Sequence, residues 1–449
     1  MSGTLIKFAQ IVNEGKIQAR DVRIEQGRIA QIDTDISPKA YEEVIDASGL
    51  FLLPGMIDDQ VHFREPGMPN KGTIYQESRA AVAGGITSFM EMPNVVPATT
   101  TREALQHKFD IARTSALANY AFYFGATNDN IEAIKRLDPR TVCGVKVFMG
   151  ASTGNLLVDD PQSLDNIFAS SPVLIVTHCE DNARVQHNAQ ALEEHLPKTL
   201  WQPHHHPVIR DAEACYLSSS YAVSLAKKHD ANLHVLHLTT EKELALFEAG
   251  DIRNKRITAE ACVHHLWFNQ EDYARLGNQI KCNPAIKSEQ DRLALINAVN
   301  QDVIDIIATD HAPHTWEEKQ QPFHLAPAGL PLVQHALLSL LEQVDRGHFT
   351  LEKVVEKVCH NPAIRYGVVD RGFIKEGYFA DLVLVDIKQT THVASAPLHY
   401  LCQWTPFKDV TFNAAIKSTF VNGVKVFDGQ AFTEVDSPAQ ALSFSHNPH

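Results

Sequence analysis

Between residues 55 and 310 the chain repeats one local pattern eight times. Short apolar runs occupy residues 55–63, 86–92, 118–126, 143–150, 172–179, 232–238, 256–262 and 303–310, and helix-like stretches such as YQESRAAVAG and AEACYLSSSYAVSLAKKH separate most of them. Strands joined by helical crossovers pair in parallel, and eight such units over roughly 300 residues suit a (β/α)8 barrel. A doubly wound sheet is the alternative. The barrel is favoured because polar, chemistry-capable residues recur at the C-terminal ends of nearly every run, where barrel enzymes place their sites. Residues 1–53 and 371–436 read instead as short strands broken by Gly and Asp. They predict a small composite β-sandwich domain built from both termini, around a barrel spanning 54–370, with 437–449 as a loosely held tail.

The first run ends in Asp58-Asp59-Gln60-Val61-His62-Phe63-Arg64. Alternate strand residues share a face, so Gln60, His62 and Arg64 are expected to point into one mouth. His62 suits a borderline cation such as Zn²⁺, and Arg64 suits a carboxylate. Lys146 lies among Val145, Val147 and Phe148. Burying an ammonium is costly, so Lys146 is a paired lysine, a neutral base, or an amine converted by CO₂ into a carbamate that can bridge two metals. His178 and His237 end the fifth and sixth runs, and Asp310 follows Ile307-Ala308-Thr309. A single such His is more often structural. Four strand ends carrying His62, Lys146, His178 and His237, with Asp310 on a fifth, point to a metal-dependent hydrolase in which Asp310 exchanges a proton.

Taken together these segments resemble the amidohydrolase superfamily and, within it, the dihydroorotases, over nearly the whole chain. The resemblance rests on Asp310-His311-Ala312-Pro313-His314 with Glu318-Lys319, on His62-Phe63-Arg64-Glu65-Pro66-Gly67, on Met92-Pro93-Asn94, on His206-Pro207-Val208-Ile209-Arg210, and on Gly377–Asp386. It implies a binuclear zinc centre held by His62, carbamylated Lys146, His178, His237 and Asp310. A metal-bound hydroxide would attack the ring amide, with Asp310 relaying the proton. Arg64, Asn94 and His314 would bind a substrate carboxylate, Asn283 would contact the ring, and residues 326–329 would lie over it. Gln60 stands where the family usually has a His ligand, which predicts one or two Zn²⁺ per chain. The implied reaction interconverts L-dihydroorotate and N-carbamoyl-L-aspartate in pyrimidine biosynthesis. The alternatives are an allantoinase or dihydropyrimidinase-like enzyme, and a non-catalytic scaffold of aspartate transcarbamoylase. Family analogy also suggests a homodimer.

Composition narrows the partners. A formal charge of −14 offers no general attraction for nucleic acid or anionic membranes, though a local basic pocket could still bind a small acid, and the resemblance implies a small carboxylate-bearing substrate. Seven widely spaced Cys without a CxxC pair read as reduced thiols. With no signal peptide in the first residues and no run long enough to span a bilayer, a cytoplasmic enzyme is expected.

Overall fold

A computed structural model describes residues 3–151, 154–434 and 436–445. The strand-rich ends meet in one eight-stranded sheet. The N-terminal segment supplies β1 (Gly3–Asn13), β2 (Lys16–Glu25), β3 (Arg28–Asp33), β4 (Glu42–Asp46) and β5 (Phe51–Pro54). The C-terminal segment adds β15 (Leu382–Asp386), β18 (Ala415–Val421) and β19 (Val424–Phe427) once the intervening strands are numbered. The order is β19-β18-β15-β5-β1-β2-β3, with β4 on β1. The seam is the antiparallel pairing of β15 with β5, Leu384 opposite Leu52. Ile6, Val22, Ile24, Ile29, Leu52, Leu382, Leu384 and Phe420 form a core cluster of this sheet, so residues more than 350 positions apart bury one another's apolar surface.

The middle of the chain holds parallel strands β6 (Met56–Val61), β7 (Ile86–Glu91), β8 (Asn119–Phe122), β9 (Phe124–Gly125), β10 (Val145–Phe148), β11 (Ile175–His178), β12 (Leu233–Val235), β13 (Ile257–Cys262) and β14 (Ile306–Ala308). Two sheets, β6-β7-β8 and β9 to β14 in chain order, account for all nine, and only Tyr123 separates β8 from β9. The last strand returns to the first: Val61 bridges His311 in parallel, and the His62 N–H donates to the His311 carbonyl at 2.7 Å. A remaining two-residue pair, β16 (Thr391–His392) with β17 (Thr411–Phe412), lies apart. The protein is thus an α/β fold with mixed and parallel sheets.

Helices cover the crossovers and start at side-chain caps. Thr73, Thr101, Asp160, Asp181, Asp211 and Ser288 each accept a backbone N–H of the first turn that follows. One helix is shorter than its sequence suggests: the stretch EKELALFEAG, helix-like throughout, forms only the four-residue helix Glu241–Leu244, because Ala245 to Gly250 turn away toward the next strand. The tail differs as well. Leu442 and Phe444 are buried, Leu442 N–H donates to the Tyr120 carbonyl, and both side chains join Ile57, Met90, Val176, Ile306 and Tyr366 in one apolar cluster. Apolar side chains in an otherwise polar tail find uncovered core there. Residues 446–449 of that expected tail lie outside the described residues. The seven Cys are buried free thiols, and no described helix is long and apolar enough to cross a membrane.

Candidate active site

The strand ends surround a cavity of about 110 Å³ whose walls include Gln60, His62, Arg64, Asn94, Lys146, His178, His237, Asn283 and Asp310. Nine residues anticipated from sequence therefore converge. Their convergence depends on backbone that leaves strand geometry. Arg64, His237 and Asp310 have φ of 70°, 40° and 51°, in the left-handed region that non-glycine residues seldom occupy. Arg64 lies beyond the end of β6 at Val61, so it reaches the cavity through this turn and not by strand alternation. Such strain persists where the surrounding structure holds it, and sites are where it accumulates.

Two groups of nitrogen and oxygen donors face the cavity. His178 Nδ1 and His237 Nε2 approach to 2.9 Å. Burial lowers the pKa of both rings and keeps them neutral, as metal ligands must be. His62 Nε2 lies 3.0 Å from Asp310 Oδ1, while its Nδ1 lies 2.8 Å from the Asn94 side-chain oxygen. Asn94 thereby holds the ring with Nε2 turned toward Asp310. Burial opposes charge on Asp310, but the bond to His62 keeps its carboxyl below the ordinary range. Lys146 sits between these groups, buried, its ammonium 4.8 Å from the Phe148 ring and without a hydrogen bond or ion pair among the described residues. Desolvation brings its amine down to about 8, so a substantial neutral fraction exists near physiological pH. Neutral imidazoles, a carboxylate and an amine free to react with CO₂ make a donor set that fits divalent zinc.

Gln60 does something different. Its amide nitrogen donates to Asp310 Oδ1 at 3.1 Å, and its oxygen faces Cys262 Sγ at 3.7 Å. His314 stands behind the wall, with Nε2 within 3.0 Å of both Arg64 Nη2 and the Ala328 carbonyl. It steadies Arg64 and the 326–329 segment. Gly329, at φ 140°, lets that segment close over the cavity, since a Cβ there would meet the Ala312 carbonyl at 2.4 Å. Arg64 itself is buried, donates Nε–H to the Pro313 carbonyl at 3.0 Å, and has no carboxylate within ion-pair distance among the described residues.

Several supporting residues, some of them inside the quoted motifs, were given no role by sequence. Glu180 accepts from Arg210 at 2.6 Å and lies 2.9 Å from His178 Nε2. Although burial works against its charge, Arg210 and His178 hold Glu180 well below the usual carboxylate range, giving His178 the carboxylate partner that orients metal-binding imidazoles. His206 Nε2 holds the Cys282 carbonyl and Asn283 at 2.8 and 3.1 Å. Lys281 and Lys319 donate to the carbonyls of Phe323, Ala326, Pro327 and Gly329, fastening the covering segment. The available signal was proximity: Glu180 follows His178 by two residues, and Arg210 closes the His206–Arg210 motif.

Known proteins resemble this chain over most of its length. Residues 169–426 match the amidohydrolase family model, and residues 49–243 match the dihydro-orotase-like model. The chain is 32% identical to the dihydroorotase of Halobacterium salinarum over 429 residues, covering 95% of this chain and 97% of that one. It is also 32% identical to the dihydroorotase of Methanosarcina mazei, covering 90% of each. Among solved structures, the L-hydantoinase (dihydropyrimidinase) of Arthrobacter aurescens superposes with a TM-score of 0.92 at 25% identity, over 99% of this chain and all of the other. A dihydropyrimidinase from Brevibacillus agri, at 21% identity and a TM-score of 0.88, shares the fold. On these matches, the chain belongs to the amidohydrolase family and, within it, to the dihydroorotases.

Proposed function

We propose that this protein is a zinc-dependent dihydroorotase that interconverts L-dihydroorotate with N-carbamoyl-L-aspartate. One observation carries the substrate assignment: Arg64 is a buried guanidinium on the cavity wall with no carboxylate partner of its own among the described residues. An unpaired buried cation is costly, and the ring carboxylate of dihydroorotate supplies the missing charge. Hydantoin, dihydrouracil and allantoin carry no such group, which counts against the hydantoinase reading that the Arthrobacter aurescens likeness invites.

In this reading β6–β14 close into a (β/α)8 barrel over residues 54–370, residues 1–53 and 371–436 form a sandwich-like composite domain, and the cavity lies at the barrel's C-terminal face. His178, His237 and carbamylated Lys146 would hold one Zn²⁺, and His62, Lys146 and Asp310 a second. When bound, zinc supplies Lewis acidity and lowers the pKa of water to about 7. The protein does the rest. Arg64 binds the substrate carboxylate, with His314 behind it. Asn94 and Asn283 hold the ring. Asp310 accepts a proton from the attacking water and returns it to the ring nitrogen as the C–N bond breaks, so that one water is added and no proton is lost. The 326–329 segment excludes solvent.

Ring opening should be assayed with dihydroorotate, dihydrouracil, hydantoin and allantoin. Wild type should favour dihydroorotate, and Arg64→Gln should lower kcat/KM for it by ~10²-fold or more, the scale of losing one partner of a buried charge pair. Faster wild-type turnover of any of the other three substrates would refute the assignment.

A further inference from the structure

One or two residues before the strand ends, the interior holds three ionisable side chains that the proposed reaction does not use: Asp59 on β6, His234 on β12 and Glu260 on β13. Each is completely buried. His234 Nε2 lies 3.4 Å from Asp59 Oδ2 and 3.6 Å from Glu260 Oε2. Among the described residues His234 Nε2, Glu260 Oε2 and Asp59 Oδ1 have no hydrogen-bond partner. Each of the three residues offers a ligand atom within 4.8 Å of the others, and buried polar atoms are almost always satisfied, so the unpartnered atoms of this cluster need an occupant.

The rest of each side chain is already held. Thr258 Oγ1 lies 2.8 Å from His234 Nδ1 and sets the ring with Nε2 inward. Tyr366 donates to Asp59 Oδ2 at 2.8 Å, and Tyr123 and Tyr366 share a hydrogen bond of 2.7 Å. The other Glu260 oxygen accepts from the His237 backbone N–H at 3.1 Å and from Cys262 at 3.4 Å. This is the arrangement by which outer partners orient metal ligands and leave one atom of each free. Nitrogen and oxygen ligands on one tetrahedral cation at about 2.0–2.2 Å stand roughly 3.3–3.6 Å apart, close to the 3.6 Å between the free His234 Nε2 and Glu260 Oε2.

We propose that Asp59, His234 and Glu260 form a structural site for one divalent first-row transition cation, in the Mn²⁺ to Zn²⁺ range, separate from the cavity donors. One imidazole with two carboxylates suits that class better than Mg²⁺ or Ca²⁺, which take oxygen ligands. The cation would tie β6 to β12 and β13 across the interior. Through Glu260 it would also fix the backbone of His237. The site does not depend on the reading of the cavity.

The test uses the full chain produced with Zn²⁺ as the only added metal, desalted, and counted for metal by mass spectrometry. Lys146→Met with His178→Asn removes donors from both cavity positions. That double variant should retain one Zn²⁺ per chain, and adding Asp59→Asn should bring it to none. Loading the double variant with Co²⁺ should give a visible ligand-field spectrum that Asp59→Asn abolishes. Should the Asp59 variant fail to fold, His234→Gln in the same background serves the same comparison. A double variant that binds no metal, or an Asp59→Asn or His234→Gln protein that keeps its metal and its cobalt spectrum, overturns the proposal, since the cluster would then be holding only a shared proton.

Discussion

Gln60 spends its amide on a neighbour. Where the resemblance leads one to expect imidazole, the Gln60 amide nitrogen donates to Asp310 and its oxygen faces the Cys262 thiol. An amide oxygen is a weaker zinc ligand than imidazole, and this one is turned away from the cavity's other donors. Gln60→His should therefore raise bound zinc by up to one equivalent per chain over wild type, read by metal counting on dialysed protein. Unchanged metal content would show that the site is not weakened at this residue. At this scale much of the candidate site was legible: His178 ends β11, His62, His237 and Asp310 lie just past the ends of β6, β12 and β14, and Lys146 lies within β10, and strands can be read from local periodicity. Glu180, Arg210, His206, Lys281 and Lys319 were not, because what each does is set by a partner that only folding brings near.

Elements were legible to within a few residues, since β-branched runs bounded by turn residues mark strands whatever they pair with. Their fastening was not. Asp302, just beyond the helix Glu289–Asn300, pairs with Lys353 at 2.7 Å and Lys357 at 2.8 Å, tying that helix end to the helical segment around residues 351–360. Burial alone would raise its carboxyl, but the two lysines bring it down to about 2. A carboxyl whose folded pKa lies below its unfolded value stabilises the protein above the unfolded pKa and loses that contribution as pH falls through the folded one. Asp302→Asn keeps the left-handed backbone (φ 58°) accessible. It should lower the urea midpoint at pH 7, and the difference from wild type should fade between pH ~4 and 2. A difference that persists unchanged at pH 2 would mean that the carboxylate charge is not what holds these elements. Asp302 is more than a third exposed, and solvent screening keeps the effect modest.

Across the whole molecule the two ends of the chain are structural partners. β5 and β15 pair although more than 300 residues separate them, and the segment after 436 seals an apolar cluster with Leu442 and Phe444. Deleting residues 437–449 should cost ~3–6 kcal/mol of unfolding free energy, the worth of burying two large apolar side chains, measured by denaturant titration. A loss under ~1 kcal/mol would show that the tail merely rests on the surface. The sequence by itself determined the strand and helix order, the strand-end ligands and the family, because these follow from side-chain period, backbone preference and motif. The tertiary structure alone decided that Arg64 lacks a carboxylate partner among the described residues, that Gln60 serves Asp310, that the tail is packed, and that Asp59, His234 and Glu260 converge. Each is a relation between residues distant in the chain, and such relations arise only when packing removes the water that would otherwise have satisfied them.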